Sequence, residues 1–139
     1  MSGEHDEVRV PQRVSTPLTA PYWEAAEKGN LLVQVCIDCG RLQLYPGAVC
    51  RGCWSEHLRW RSVEGSGTVW TTTVAEVPGH PAWRDAVPYC IAIVELDEGP
   101  RLLTNIVGCD PYAVGVRQRV RLVRAGDHEP GPPLRFMPC

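Results

Sequence analysis

The residues best placed to do chemistry are four cysteines in the stretch CIDCGRLQLYPGAVCRGC. Cys36 and Cys39 form one CxxC pair, Cys50 and Cys53 a second, and ten residues separate the two. A CxxC turn folds back tightly enough to aim two sulfurs at one centre, and Gly40 and Gly52 supply the relaxed backbone such knuckles need. Two facing knuckles offer four thiolates in a tetrahedron, the arrangement zinc takes in closed structural sites. A lone CxxC would fit a redox pair equally well; two at this spacing favour a metal. Iron held by four thiolates and a pair of disulfides are the competing readings. With sulfur at all four positions no ligand position stays open for water, so the expected ion, one per chain, is structural and not catalytic.

Elsewhere the chemistry thins out. No two of His5, His57, His80 and His128 share a motif, and no GxSxG, HExxH or phosphate-binding glycine loop occurs. Cys90 sits in an apolar run and reads as a small hydrophobe. Cys109 and Cys139 have no adjacent base that would activate them. Catalysis by this chain alone has no residue constellation behind it. Arg117, Arg119, Arg121 and Arg124 form a basic cluster whose three odd-numbered members would share one strand face.

The elements that must hold the cysteines follow from pattern. Residues 1–16 are polar and aperiodic and read as a flexible arm. Residues 17–30 hold a short helix over Leu18–Lys28, with Thr19 as its cap, Pro21 in the first turn and Gly29 at the exit. So short a helix is marginal alone, so Tyr22 and Trp23 must pack on the chain's own ribbon or on another protein. Residues 31–64 are the ribbon: strands Leu31–Val35 and Leu42–Tyr45, with Leu58–Val63 leaving the second knuckle. Gly65-Ser66-Gly67 then breaks the chain. Residues 65–139 carry five strand patterns: Thr68–Val77, Tyr89–Leu96, Arg101–Val107, Arg119–Arg124 and Leu134–Met137. The fold class is therefore mainly β: a short N-terminal helix, a rubredoxin-like zinc ribbon, then a five-stranded OB-fold-like antiparallel barrel. SH3-like barrels share this periodicity.

Composition narrows the partners. The formal charge is −2, without the basic excess that phosphate backbones demand. Single-stranded nucleic-acid binding by an OB barrel is therefore a minor alternative. No stretch approaches the roughly 20 apolar residues that cross a bilayer. The start, MSGEHDEVRV, lacks an apolar run, and a reducing cytoplasm is the expected compartment.

The order of features resembles the zinc-ribbon/OB-fold proteins associated with acyl-CoA enzymes, long filed as a domain of unknown function. The likeness is carried by PYWEAAEKGNLLVQVCIDCG, CRGC, EGSGTVWTTTV, PYCIAIVELDEGPRLLTNIVG, GVRQRVRLV and RFMP, over roughly residues 18–138. The closing PPLRFMPC departs from the family pattern, its prolines preceding Leu134. The resemblance implies a non-catalytic accessory subunit in a hetero-oligomer. Its partner would be a thiolase-fold aldolase, thiolase or synthase, including enzymes of steroid or lipid side-chain carbon–carbon cleavage, or alternatively a MaoC-type enoyl-CoA hydratase. On that reading Tyr22, Trp23 and Trp54 are candidate partner contacts. Trp83 and Arg84, in PGHPAWRDAV, are candidates to touch an acyl-CoA by stacking and phosphate pairing.

Overall fold

The computed structural model describes residues 9–126 and 129–139. The expected flexible arm over residues 1–16 falls partly outside them, as do His5 and His128. A short helix, α1 (Ala20–Glu27), opens the regular structure. Thr19 stands at its N-terminus but does not cap it with its side chain. Its hydroxyl instead accepts from the Thr16 amide at 3.0 Å, while the Thr19 amide donates to the Thr16 hydroxyl at 3.2 Å. The two threonines close a turn on each other ahead of the helix. At the exit Gly29 takes the left-handed conformation, φ +85°, as a helix-terminating glycine does.

Three strands form the ribbon sheet: β1 (Leu31–Cys36), β2 (Leu42–Gln43) and β3 (Leu58–Val63), in the order β2-β1-β3. β3 pairs antiparallel with β1 along its whole length, from Leu31 opposite Val63 to Cys36 opposite Leu58. It is thus the ribbon's third strand.

Five further strands close a barrel: β4 (Ser66–Ala75), β5 (Tyr89–Leu96), β6 (Arg101–Ile106), β7 (Arg119–Arg124) and β8 (Leu134–Pro138). Their order is β4-β5-β6-β8-β7, with β7 returning to β4. Four of the five pairings are antiparallel; β6 and β8 run parallel, Ile106 opposite Phe136. This is the OB-type barrel expected from sequence. The prolines before Leu134 do not shorten β8, which pairs with β7 from Leu134 to Pro138.

β5 alternates half-buried and buried residues without a break, the period-2 signature of a strand with one face on a core. Cys90, Ala92, Val94 and Leu96 point inward to meet Val69, Leu102, Val120 and Phe136. Cys90 is one of these core residues, 1 % exposed, as its apolar surroundings predict. The same cluster continues into Tyr22 and Ala26 of α1 and Leu31 and Val33 of β1. Helix, ribbon and barrel share one core.

Candidate metal centre and surrounding surfaces

β1 delivers Cys36 at its last residue, and a turn closed by the Gly40 amide on the Cys36 carbonyl (2.8 Å) brings Cys39 round. The second knuckle repeats the turn: the Trp54 amide donates to the Cys50 carbonyl at 2.9 Å. All four Sγ atoms lie within 4.8 Å of one another. Cys36 faces Cys53 and Cys39 faces Cys50, each pair 3.6 Å apart. A disulfide needs about 2.05 Å, and all seven cysteines are free. Zinc–thiolate bonds of about 2.3 Å in a tetrahedron place sulfurs about 3.8 Å apart, so the quartet fits a zinc ion. Cys36 and Cys50 are buried, Cys39 and Cys53 exposed.

Backbone donors tune these sulfurs. The amides of Cys53 and Gly52 hold the Cys50 thiol down to about 6, the Gly52 amide standing 3.3 Å from its sulfur. At Cys53 the Ser55 amide favours the thiolate, but the neighbouring sulfur of Cys36, burial and the other two thiols outweigh it and push the group up to about 12. Four crowded sulfurs do not ionise together without a cation to share them. A divalent ion supplies that charge and fixes the two knuckles to each other; nothing in the arrangement gives it a reaction to perform.

Sequence reasoning missed the group that straps the knuckles together. Asp38 Oδ2 accepts from the Ser55 hydroxyl and from His57 Nδ1, the latter at 2.9 Å, and the Ile37 amide donates to the His57 carbonyl. The hydrogen bonds from Ser55 and His57 hold the Asp38 carboxyl below its usual range. Ser, Asp and His are together here, yet Ser55 donates to Asp38 and not to the imidazole. The imidazole is not set against the hydroxyl as a nucleophile's base would be; both groups close on one carboxylate, and the trio is a clasp. Its only trace in sequence is polar residues beside the cysteines, as common in solvated turns.

The aromatic candidates separate by burial. Tyr22 is 5 % exposed and packs edge-on against Trp23 at 4.9 Å and Tyr45 at 6.4 Å. Of its two readings, packing on the chain's own ribbon is the one its position fits; its ring is closed off from a partner's reach. Trp23 is half-buried, with the Arg13 guanidinium 4.9 Å from its ring centroid. Trp54 stands 79 % exposed at the tip of the second knuckle, in a left-handed conformation at φ 65°. Bulky residues rarely hold that conformation.

Trp83, half-buried, and Arg84, exposed, lie in and just after a short 3-10 turn, Pro81–Trp83. Trp83 lines three adjoining depressions of about 900, 260 and 290 Å³. Trp23 and Arg13 share the first, Cys109 the second, and Tyr45, Tyr89 and Leu103 the third. Burial raises the Cys109 thiol above its ordinary value, the wrong direction for a nucleophile. The three stripe arginines are all exposed, and one of them is paired. Arg117 precedes β7 in a left-handed turn, and Arg119 is committed to Asp97 by two bonds of 2.6 and 2.9 Å. Trp70 is half-exposed, but the Arg101 guanidinium lies 3.6 Å from its ring centroid and is anchored to Glu95 at 2.8 Å. One face of the indole is thus already taken by a cation.

A four-thiolate ribbon packed against an OB-type barrel defines a zinc-ribbon/OB-fold protein. The models of two consecutive domains match the chain: the rubredoxin-like zinc ribbon domain of ChsH2 over residues 23–59, and the C-terminal OB-fold domain of ChsH2 over residues 60–124. The chain belongs to the DUF35 family. It is 31 % identical over 98 residues to a DUF35 domain-containing scaffold protein of Methanothermobacter thermautotrophicus, covering 70 % of this chain and 73 % of that one. It is 41 % identical over 103 residues to a probable enoyl-CoA hydratase alpha subunit of Thermomonospora curvata, covering 73 % of this chain but 31 % of that relative's length. Among solved structures, the Ltp2-ChsH2(DUF35) aldolase superposes with a TM-score of 0.80 at 34 % identity, covering 91 % of this chain and 98 % of that one. Among the described residues, no helix is long and apolar enough to cross a membrane.

Proposed function

We propose that this chain is a non-catalytic accessory subunit that docks on a thiolase-fold enzyme acting on acyl-CoA substrates, through a surface centred on its zinc knuckles. The observation that carries the docking surface is Trp54. A large aromatic, mostly exposed and held in a strained backbone by the turn that also holds Cys50 and Cys53, is an anchor in search of a pocket. Trp23 borders the same helix–ribbon half and is the second contact. Tyr22 supports Trp23 from the core side. The thiolase-fold partner is favoured by the likeness to the Ltp2-ChsH2(DUF35) aldolase. A hydratase partner is the second reading, favoured by the Thermomonospora relative's name. On either reading Trp83 and Arg84 face the acyl-CoA, the indole covering the adenine or acyl part and the guanidinium pairing with phosphate.

Co-expression with thiolase-fold and hydratase proteins encoded beside the gene tests this. The expected outcome is a co-purifying complex whose partner is active only in this chain's presence. Trp54→Ala should weaken association by roughly 30-fold, as loss of an interface anchor does, with zinc content unchanged. No co-purification with either class together with full partner activity alone, or turnover of an acyl-CoA by the isolated chain, would overturn it.

A further inference from the structure

We propose that Gln34 and Gln43 are the positioning residues of the second cysteine knuckle and govern how tightly the ribbon retains its metal. The proposal concerns the zinc site alone and stands whichever enzyme the chain serves. Both glutamines are nearly inaccessible, at 3 % and 4 % exposure. Each sits where a ribbon core would ordinarily place an apolar residue: Gln34 inside LLVQVC, Gln43 in β2. They are direct cross-strand partners.

Their side chains hold backbone on both sides of a metal ligand. Gln43 Nε2 donates to the Val49 carbonyl at 3.2 Å, and Gln43 Oε1 accepts from the Arg51 amide at 3.0 Å. Cys50 lies between those two peptide groups, so one amide side chain grips the chain immediately before and after the ligand. Gln34 braces that grip: its Oε1 accepts from Gln43 Nε2 and from the Gly47 amide, both at 2.8 Å, and its Nε2 donates to the Gly47 carbonyl at 3.1 Å. Gln34 is itself two residues before Cys36 on β1. The network therefore ties the strand that carries one ligand to the loop that carries another.

Buried amides remain in a core only when their donors and acceptors are used, and breaking such a network leaves polar groups stranded. Nothing else on the ribbon sheet takes up the Val49 carbonyl or the Arg51 amide. Removing Gln43 strands the Val49 carbonyl and the Arg51 amide, leaving Cys50 held only by its bonds with Ser55 and Trp54 inside the knuckle, and the second knuckle loosens from β2. Partners that orient metal ligands in this way typically change metal affinity by about 10–100-fold when lost.

The test measures zinc release from the full chain into excess chelator, beside the urea midpoint followed by tryptophan fluorescence and the absorption spectrum of the cobalt(II)-substituted protein. Gln43→Met should speed release by about 10–100-fold while the cobalt spectrum keeps its four-sulfur form. Gln34→Met, which leaves both Gln43 contacts at Cys50 but removes their brace, should speed it less. It carries the test alone if Gln43→Met does not fold. Thr104→Val, which removes a buried hydroxyl bonded to the Leu134 carbonyl in the barrel, should lower the urea midpoint without changing release. Release at the wild-type rate in the glutamine variants would overturn the proposal. So would a Thr104→Val variant that loses zinc as fast for the same loss of stability.

Discussion

Tyr22 carries its phenol into the helix–ribbon core, and burial, with the nearby Tyr45 adding to it, pushes that group up to about 12. The unfolded chain would ionise the same phenol near 10. A folded value above the unfolded one contributes stability that is complete below pH 10 and lost as pH rises towards 12. The shift of about two units corresponds to about 2–3 kcal/mol. Stability of the wild type should therefore fall between pH 10 and 12, and Tyr22→Phe should flatten that limb; urea midpoints across the range measure it. An equal alkaline loss in both proteins would show that the phenol is not the responsible group. At this scale the four metal ligands were legible, because CxxC spacing alone constrains where sulfurs point. The difference between Tyr22 and Trp54 was not. Both are aromatics beside turns, and which one the core swallows depends on where β2 brings Tyr45, a contact 23 positions from Tyr22 in the chain. Gln34 and Gln43 had a signal, a polar residue inside an apolar strand, but their bonds run to a loop whose path only the fold defines.

Among the elements, the Gly65-Ser66-Gly67 stretch shows why a pattern read correctly can be explained wrongly. It reads as a break, yet Ser66 and Gly67 already belong to β4. The glycines are required by close approach. A Cβ on Gly67 would sit 2.6 Å from the Glu95 carbonyl oxygen and 2.7 Å from Val94 Cγ1, and one on Gly65 would collide with Leu122 Cβ. Gly65 also holds φ +82°, so an added side chain there meets both backbone strain and a packed neighbour. Gly99 makes the control, with φ +112° but open space around it. Gly65→Ala should destabilise by about 2–4 kcal/mol and Gly99→Ala by about 1–2 kcal/mol, measured by denaturant unfolding. Equal losses would mean that Leu122 yields without resistance. Strand positions were otherwise readable, β5 and β7 to the residue, because alternation survives wherever one face is buried. The bulge between Val69 and Thr71 was not. It turns Trp70 and Thr71 both outward, and such an inserted residue looks like ordinary strand sequence until its partner strand is known.

The molecule as a whole is joined by more than the chain between Val63 and Ser66. The Leu103 amide donates to the Tyr45 hydroxyl at 2.7 Å, linking ribbon loop to barrel, and Arg124 Nε donates to the Glu27 carbonyl at 2.8 Å, linking barrel to helix. Tyr22, Leu31 and Val33 lie in one apolar cluster with Val120 and Phe136. A ribbon with strands of 6, 2 and 6 residues has too little apolar area to fold alone, and its metal supplies most of what it lacks. Because the core is shared, that metal stabilises the barrel as well. Calorimetric melting of the zinc-loaded chain should show one transition, with calorimetric and van't Hoff enthalpies in agreement. Chelation should move the whole transition down by at least about 10 °C, since a binding contribution of several kcal/mol shifts a chain of this size by about 3 °C for each. The alternative is separable: a barrel that folds on its own would leave a second, later transition at a temperature indifferent to chelator. That result would divide the core at the ribbon–barrel boundary and confine the metal's influence to its own three strands.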